Sequence, residues 1–112
     1  MLFRSRFKEL AAWIQTRLRS DLSVETLADR ACLSVRQFAR VFRQEFGMTP
    51  AAFVEEARLG EASRRLSESR RLANVDAVAR SVGYTNADTF RRAFERRFGV
   101  TPGQYRRRFA LQ

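Results

Sequence analysis

The stretch Ala87–Phe98, ADTFRRAFERRF, constrains this chain more than any other. Phe90, Phe94 and Phe98 recur every four residues and so fall on one stripe of a helix. Arg91, Arg92, Arg96 and Arg97 fall largely off that stripe. Gly99 follows as a helix stop, and Thr101-Pro102 reads as an N-cap and first helical position. A helix with an aromatic back and an arginine-rich front is suited to being held against a core while it touches something anionic. The device occurs twice, with a shift of 52 residues: Phe38, Phe42 and Phe46 repeat the stripe, Gly47 the stop and Thr49-Pro50 the restart. Identical residues in matching order and spacing make this an internal repeat rather than two unrelated amphipathic helices.

In chain order, Phe3, Phe7, Leu10, Ile14 and Leu18 mark one face of a helix expected from about Ser5 to Arg19, with Trp13 beside it as scaffold. Ser23 is a plausible N-cap for a short helix carrying Val24, Leu27, Ala28 and Ala31. Cys32-Leu33-Ser34 is a turn, and Ser34 with Gln37 completes a capping-box pattern for a helix over 35–46. Two short helices joined by such a turn form a helix-turn-helix, whose second helix is the DNA reader. Thr49-Pro50 opens a long helix reaching Ser67 or Ser69, with Phe53, Val54, Ala57, Ala62 and Leu66 apolar and Gly60 a weak point costing about 1 kcal/mol against alanine. The loosest stretch, Arg70 to Asn74, is the natural boundary between a first subdomain, 5–69, and a second, 70–112. Val75, Val78, Ala79 and Val82 repeat the spacing of Val24, Leu27, Ala28 and Ala31 at a shift of 51. One extra residue is therefore expected between Thr85 and Asp88, before the second reading helix, 87–98. Pro102 to Phe109 is a last short helix, with Tyr105 at the place of Phe53. The expected fold is all-α, about seven helices in two helix-turn-helix subdomains joined by a long helix.

Lys and Arg number 22 against 12 acids, a net charge of +10 that favours nucleic acid or an anionic membrane surface as partner. No apolar run approaches the ~20 residues of a membrane span, and the first residues lack the apolar core of a secretory signal. The absence of histidine removes the usual triads, histidine metal ligands and the common general base. The acids are scattered over predicted helix surfaces, so no enzyme activity, cofactor or metal is expected. A single cysteine, Cys32, excludes an intrachain disulfide and fits a reducing cytoplasm.

On the first reading helix Arg36, Arg40 and Arg43 share a face opposite the phenylalanines, with the small Ala39 between them. Arginine pairs bidentately with guanine O6 and N7; the plainer alternative is a solvated basic face. The second helix presents Asp88, Arg92 and Glu95, with Thr89 and Arg96 alongside and Asn86 at its entry. Asp88 is read as a capping residue three positions after Thr85, the alternative being an acceptor for cytosine N4. This copy then reads bases through Arg92 and its neighbours, or mainly holds the backbone.

These residues resemble the DNA-binding domain of the AraC/XylS family of bacterial transcription regulators. The resemblance is carried by Leu22 to Ser34, by Phe42-Arg43-Gln44-Glu45-Phe46-Gly47-Met48-Thr49-Pro50, by Val82-Gly83-Tyr84, and by Phe90 to Tyr105 with its ending Phe98-Gly99-Val100-Thr101-Pro102. It implies seven helices, a linker helix starting at Pro50, and two readers in successive major grooves, with base contacts from Arg36, Ala39 and Arg40 and from Asp88, Thr89 and Arg92. Some 18 linker residues at ~1.5 Å each, about 27 Å, suit readers one DNA turn apart, roughly 34 Å, once their own widths are added. The implied partner is a double-stranded operator, with RNA polymerase a further one, and the implied location is the cytoplasm at the nucleoid. Cys32 stands where the family usually has glycine; a positive φ there would strain it, and a small buried residue is the expected role. Family members commonly carry a separate sensor domain. The arginine-rich style is similar to the subgroup whose sensor resembles a class-I amidotransferase, so a sensor missing from this stretch is expected. The competing class is a protein-interaction module, binding polymerase or another partner with weak DNA affinity, which the mixed face Asp88/Arg92/Glu95 keeps open.

Overall fold

The computed structural model of the chain describes residues 2–68 and 74–109, and side chains from Ser5 onward. Its regular structure is entirely helical: α1 (Leu2–Thr16), α2 (Val24–Arg30), α3 (Val35–Phe46), α4 (Pro50–Glu68), α5 (Val75–Ser81), α6 (Ala87–Phe98) and α7 (Pro102–Phe109). Among the described residues the chain adopts the expected all-α architecture of seven helices. The side chain of Phe3, on the expected stripe of α1, and the loose residues 70–73 lie outside what is described.

Local chemistry explains most boundaries. The side chains of Ser23, Ser34, Asn74 and Asn86 each accept the backbone N–H three residues on, supplying the partner that a helix start lacks. Gly47 and Gly99 close α3 and α6 in the left-handed region, at φ 74° and 78°, which glycine adopts without a Cβ clash. Thr49 Oγ1 accepts from Ala52 N–H at 3.2 Å, ahead of Pro50. Thr101 and Gln104 exchange the reciprocal pair of a capping box, at 2.9 and 3.1 Å, ahead of Pro102. The first helix departs from expectation, spanning Leu2–Thr16 rather than Ser5 to Arg19. Thr16 Oγ1 donates to the Trp13 carbonyl at 2.8 Å and Arg17 N–H reaches Ile14 O at 3.0 Å, so the chain tightens and leaves the helix. Leu18 is buried from the turn that follows.

The chain divides into two compact units, 1–57 and 58–112. The core of the first joins Phe7, Ile14, Leu27, Phe38 and Phe42 to Val54 and Ala57 of α4. The core of the second joins Leu59, Ala62 and Leu66 of α4 to Val78, Val82, Phe90 and Phe94. The change of core thus falls inside α4, whereas the sequence signal for a boundary lay at 69/70. Leu59, absent from the expected apolar positions of α4, is 1% exposed and belongs to the second core. Beyond Gly60, α4 is braced on its surface. Arg65 donates to Glu61 at 2.7 Å and Arg64 to Glu68 at 2.7 Å, and Arg64 also pairs with Glu61. The hydrogen bond from Arg64 is the main cause that holds the Glu61 carboxyl down at about 2.

The repeat is reproduced ring by ring. Phe42 and Phe46 lie 4.6 Å apart, Phe94 and Phe98 4.5 Å. Phe38 and Phe42 are 5.5 Å apart, Phe90 and Phe94 5.6 Å. Phe53 meets Phe42 edge-on at 5.4 Å and 80°, and Tyr105 meets Phe94 at 5.4 Å and 83°. Each unit therefore clamps its reading helix from behind with the same aromatic arrangement.

Candidate nucleic-acid interface

In the first unit, α2, a turn and α3 form the helix-turn-helix. Leu33 N–H returns to Ala28 O at 3.0 Å, and Cys32 turns the chain at φ 60°. The strain expected of a non-glycine residue there is present, but the expected burial is not: Cys32 is exposed, because the left-handed turn throws its side chain off the packed side. Ser34 and Gln37 form the capping box that starts α3. Phe38, Val41 and Phe42 are buried, and the helical period then puts Arg36, Arg40 and Arg43 in solvent with half-buried Ala39 between them. None of these three arginines has an ion-pair or hydrogen-bond partner among the described residues, so their donors are open to a ligand.

The second unit repeats this with α5 and α6. Tyr84 N–H returns to Ala79 O at 3.0 Å, the counterpart of the Leu33 bond, and Gly83 at φ 108° stands for Cys32. The N-cap of α6 is Asn86, whose Oδ1 accepts from Thr89 N–H at 3.0 Å. This corrects the capping role given to Asp88 with Thr85. Asn86 occupies the place of Ser34, so the extra residue of the second copy is Thr85, in the turn. Asp88 sits exposed in the first turn of α6, where its charge favours the helix dipole, 3.8 Å from Arg91. Arg91 also reaches Asp76 of α5 at 3.1 Å. Sequence reasoning missed this strap between the two helices because its partners are 15 positions apart and follow no helical spacing.

The second face is therefore arranged as follows. Arg92 is exposed and has no ion-pair partner among the described residues. Thr89, Glu95 and Arg96 are exposed beside it, and Asp88 is partly neutralised by Arg91. The oxygen of Asn86 is committed to the cap, which leaves its NH2 group as a donor. Replacing Asn86 by alanine should cost about 1 kcal/mol of stability in denaturant unfolding, and Asn86→Ser should restore most of it. Equal stability of wild type and Asn86→Ala would return the cap to another residue.

The helix-turn-helix domain family matches residues 27–108. An HTH-type transcriptional regulator of Mycobacterium tuberculosis is 45% identical over 84 residues, 75% of this chain and 32% of that protein. The RCS-specific HTH-type transcriptional activator RclR of Escherichia coli is 43% identical over 86 residues, 77% of this chain and 30% of that protein. The chain spans about a third of the length of these curated relatives. The crystal structure of the DNA-binding domain of AdpA, a global transcriptional factor in complex with a target DNA, matches at TM-score 0.84 and 35% identity, covering 91% of this chain and 90% of that one. The C-terminal domain of AraT, a response regulator of Geobacillus stearothermophilus, matches at TM-score 0.85 and 28% identity, covering 94% and 86%. The chain belongs to the helix-turn-helix family of AraC-type transcriptional regulators.

Proposed function

We propose that this chain binds double-stranded DNA sequence-specifically, as the DNA-binding part of a bacterial transcription regulator, with α3 and α6 entering successive major grooves. The observation that carries the reading is the face of α3. Three arginines without ion-pair or hydrogen-bond partners among the described residues flank a small alanine on a capped helix held from behind by buried aromatic rings. Arginine is the commonest specific partner of guanine in the major groove. The complex of the AdpA domain with its target DNA supports the reading by likeness. In this reading Arg36, Ala39 and Arg40 meet base edges, with Arg43 beside them. Asn86, Asp88, Thr89, Arg92 and Arg96 form the contact surface of the second unit. No described helix is long and apolar enough to cross a membrane.

The finer parts of the proposal concern the rest of the regulator. The relatives are about three times as long as the matched stretch, which supports a sensor domain elsewhere in such proteins, and the arginine-rich style supports an amidotransferase-like one. RNA polymerase as partner and residence at the nucleoid in the cytoplasm follow from a role in transcription. The protein-interaction alternative draws on one observation, the exposed acids Asp88 and Glu95 on α6. Selection of duplexes from random DNA decides between them. The proposed function requires an enriched motif that binds the chain in gel shift against scrambled competitor. Recovery of no motif refutes it in favour of the interaction module.

A further inference from the structure

We propose that α7 is a phosphate-backbone clamp: Arg107 and Arg108, with Gln104 beside them, hold the DNA backbone at the second unit and supply its salt-sensitive grip. The proposal rests on the reading of the chain as a DNA-binding protein.

The internal repeat provides the first argument. At the shift of 52, Thr101, Pro102 and Tyr105 stand for Thr49, Pro50 and Phe53, and Arg107-Arg108 stand for Glu55-Glu56. The register is secured by packing, since Tyr105 and Phe53 meet their reading helices at the same distance and nearly the same angle. Packing therefore does not require arginine at these positions; the first copy makes the same contact with glutamates beside it. The second copy keeps the inward residue and reverses the charge at the positions of Arg107 and Arg108.

The surroundings provide the second argument. Arg107 and Arg108 are exposed, and neither has an ion-pair partner among the described residues. With Val100 and Gln104 they line an open groove of about 420 Å³. Gln104 uses its side-chain oxygen to accept from Thr101 N–H at 2.9 Å, so its NH2 group is left as a donor toward an anion. A groove edged by two guanidinium groups and an amide suits phosphate oxygens, which guanidinium binds in paired hydrogen bonds. A protein interface of that size would be built around an apolar anchor, and among the described residues of the lining Val100, half-buried, is the one apolar side chain.

The distribution of charge provides the third argument. Residues 58–112 carry thirteen arginines against five acids, a net +8, whereas residues 1–57 carry nine cations against seven acids, a net +2. Yet the reading face of α6 sets Arg92 between Asp88 and Glu95, while that of α3 has three arginines. Arg107 and Arg108 belong to this excess and lie on α7, outside the set Asp88, Arg92 and Glu95, where cations attract DNA without reading it.

The test measures affinity of the chain for its selected duplex and for a random duplex over a range of salt. Arg107→Gln with Arg108→Gln should lower the slope of log affinity against log salt by about 1.8, at ~0.9 per phosphate contact, on both duplexes. The gap between wild type and variant should accordingly shrink about tenfold between roughly 50 and 200 mM salt. Arg107→Lys with Arg108→Lys should keep most of the slope, which separates charge from packing. An unchanged slope in the glutamine variant overturns the proposal and reassigns these arginines to another anionic partner, such as an acidic protein surface. A loss confined to the selected duplex overturns it too, as base reading. Failure of wild type to bind either duplex would instead remove the DNA-binding reading on which the clamp depends.

Discussion

Replacing Phe42 by alanine should destabilise the first unit by about 3–5 kcal/mol, and Phe94→Ala should do the same in the second. Both rings are 0% exposed. Phe42 lies within 6 Å of the ring centroids of Phe7, Phe38, Phe46 and Phe53, at 5.8, 5.5, 4.6 and 5.4 Å. Phe94 meets Phe90, Phe98 and Tyr105 at 5.6, 4.5 and 5.4 Å. Truncation removes the transfer free energy of a phenyl group and the edge and tilted ring contacts, and leaves a hole between helices that stay tethered at their caps. Small domains have about 5–15 kcal/mol in total, so either variant should melt far below wild type in denaturant or heat. Phe42→Leu should recover a large share, because it refills most of the volume. If Phe42→Ala melts with wild type, the phase of α3 is wrong, and Arg36, Arg40 and Arg43 lose their common outward face with it.

That phase is also the part of the molecule most legible in the sequence. A four-residue aromatic period, a glycine stop and a Thr-Pro restart are local signals, and α3 and α6 span the residues those signals delimit. Less local features leave weaker traces in the sequence. The end of α1 depends on Thr16 bonding back to its own helix. The cap of α6 is not legible in the sequence because Thr85, Asn86 and Asp88 all carry capping oxygens within a few residues; only the backbone shows that Asn86 stands in the extended conformation of an N-cap. The exposure of Cys32 follows from a left-handed φ that its residue type does not announce. The strap from Arg91 to Asp76 is a tertiary contact with no sequence period behind it. For the candidate site, the open arginines of α3 were legible from the helical period alone, whereas the partial neutralisation of Asp88 was not.

Arg40→Ala is expected to weaken binding to the selected duplex by about 1–3 kcal/mol and to relax preference at one base pair. Arg40 is the central arginine of a face with no internal ion pairs among the described residues, so its donors are available to bases at no cost in broken contacts. Arg92→Ala should weaken binding less and more evenly across sequences. Arg92 stands alone between Asp88 and Glu95, and acids beside phosphate subtract attraction. The ion pair of Asp88 with Arg91 lessens that subtraction without creating a base-reading group. Unequal half-sites follow: a well-defined motif under α3 and a looser one under α6. The measurement is a paired comparison of both variants on a panel of single-base changes in the selected duplex. If Arg92→Ala proves the more damaging and the more base-selective, the assignment is reversed, and Asp88 becomes the candidate reader of cytosine.

The two units use one aromatic clamp to hold two differently charged helices. Positions 36, 40 and 43 correspond to 88, 92 and 95, and an arginine already occupies the middle of each set. Two outward substitutions, Asp88→Arg and Glu95→Arg, would thus give α6 the arginine triad of α3 while leaving Phe90, Phe94, Phe98 and Tyr105 untouched. What a unit recognises is free to drift independently of what keeps it folded. A chain built this way can acquire a new target site by surface change in one copy while the other preserves its grip on the old one.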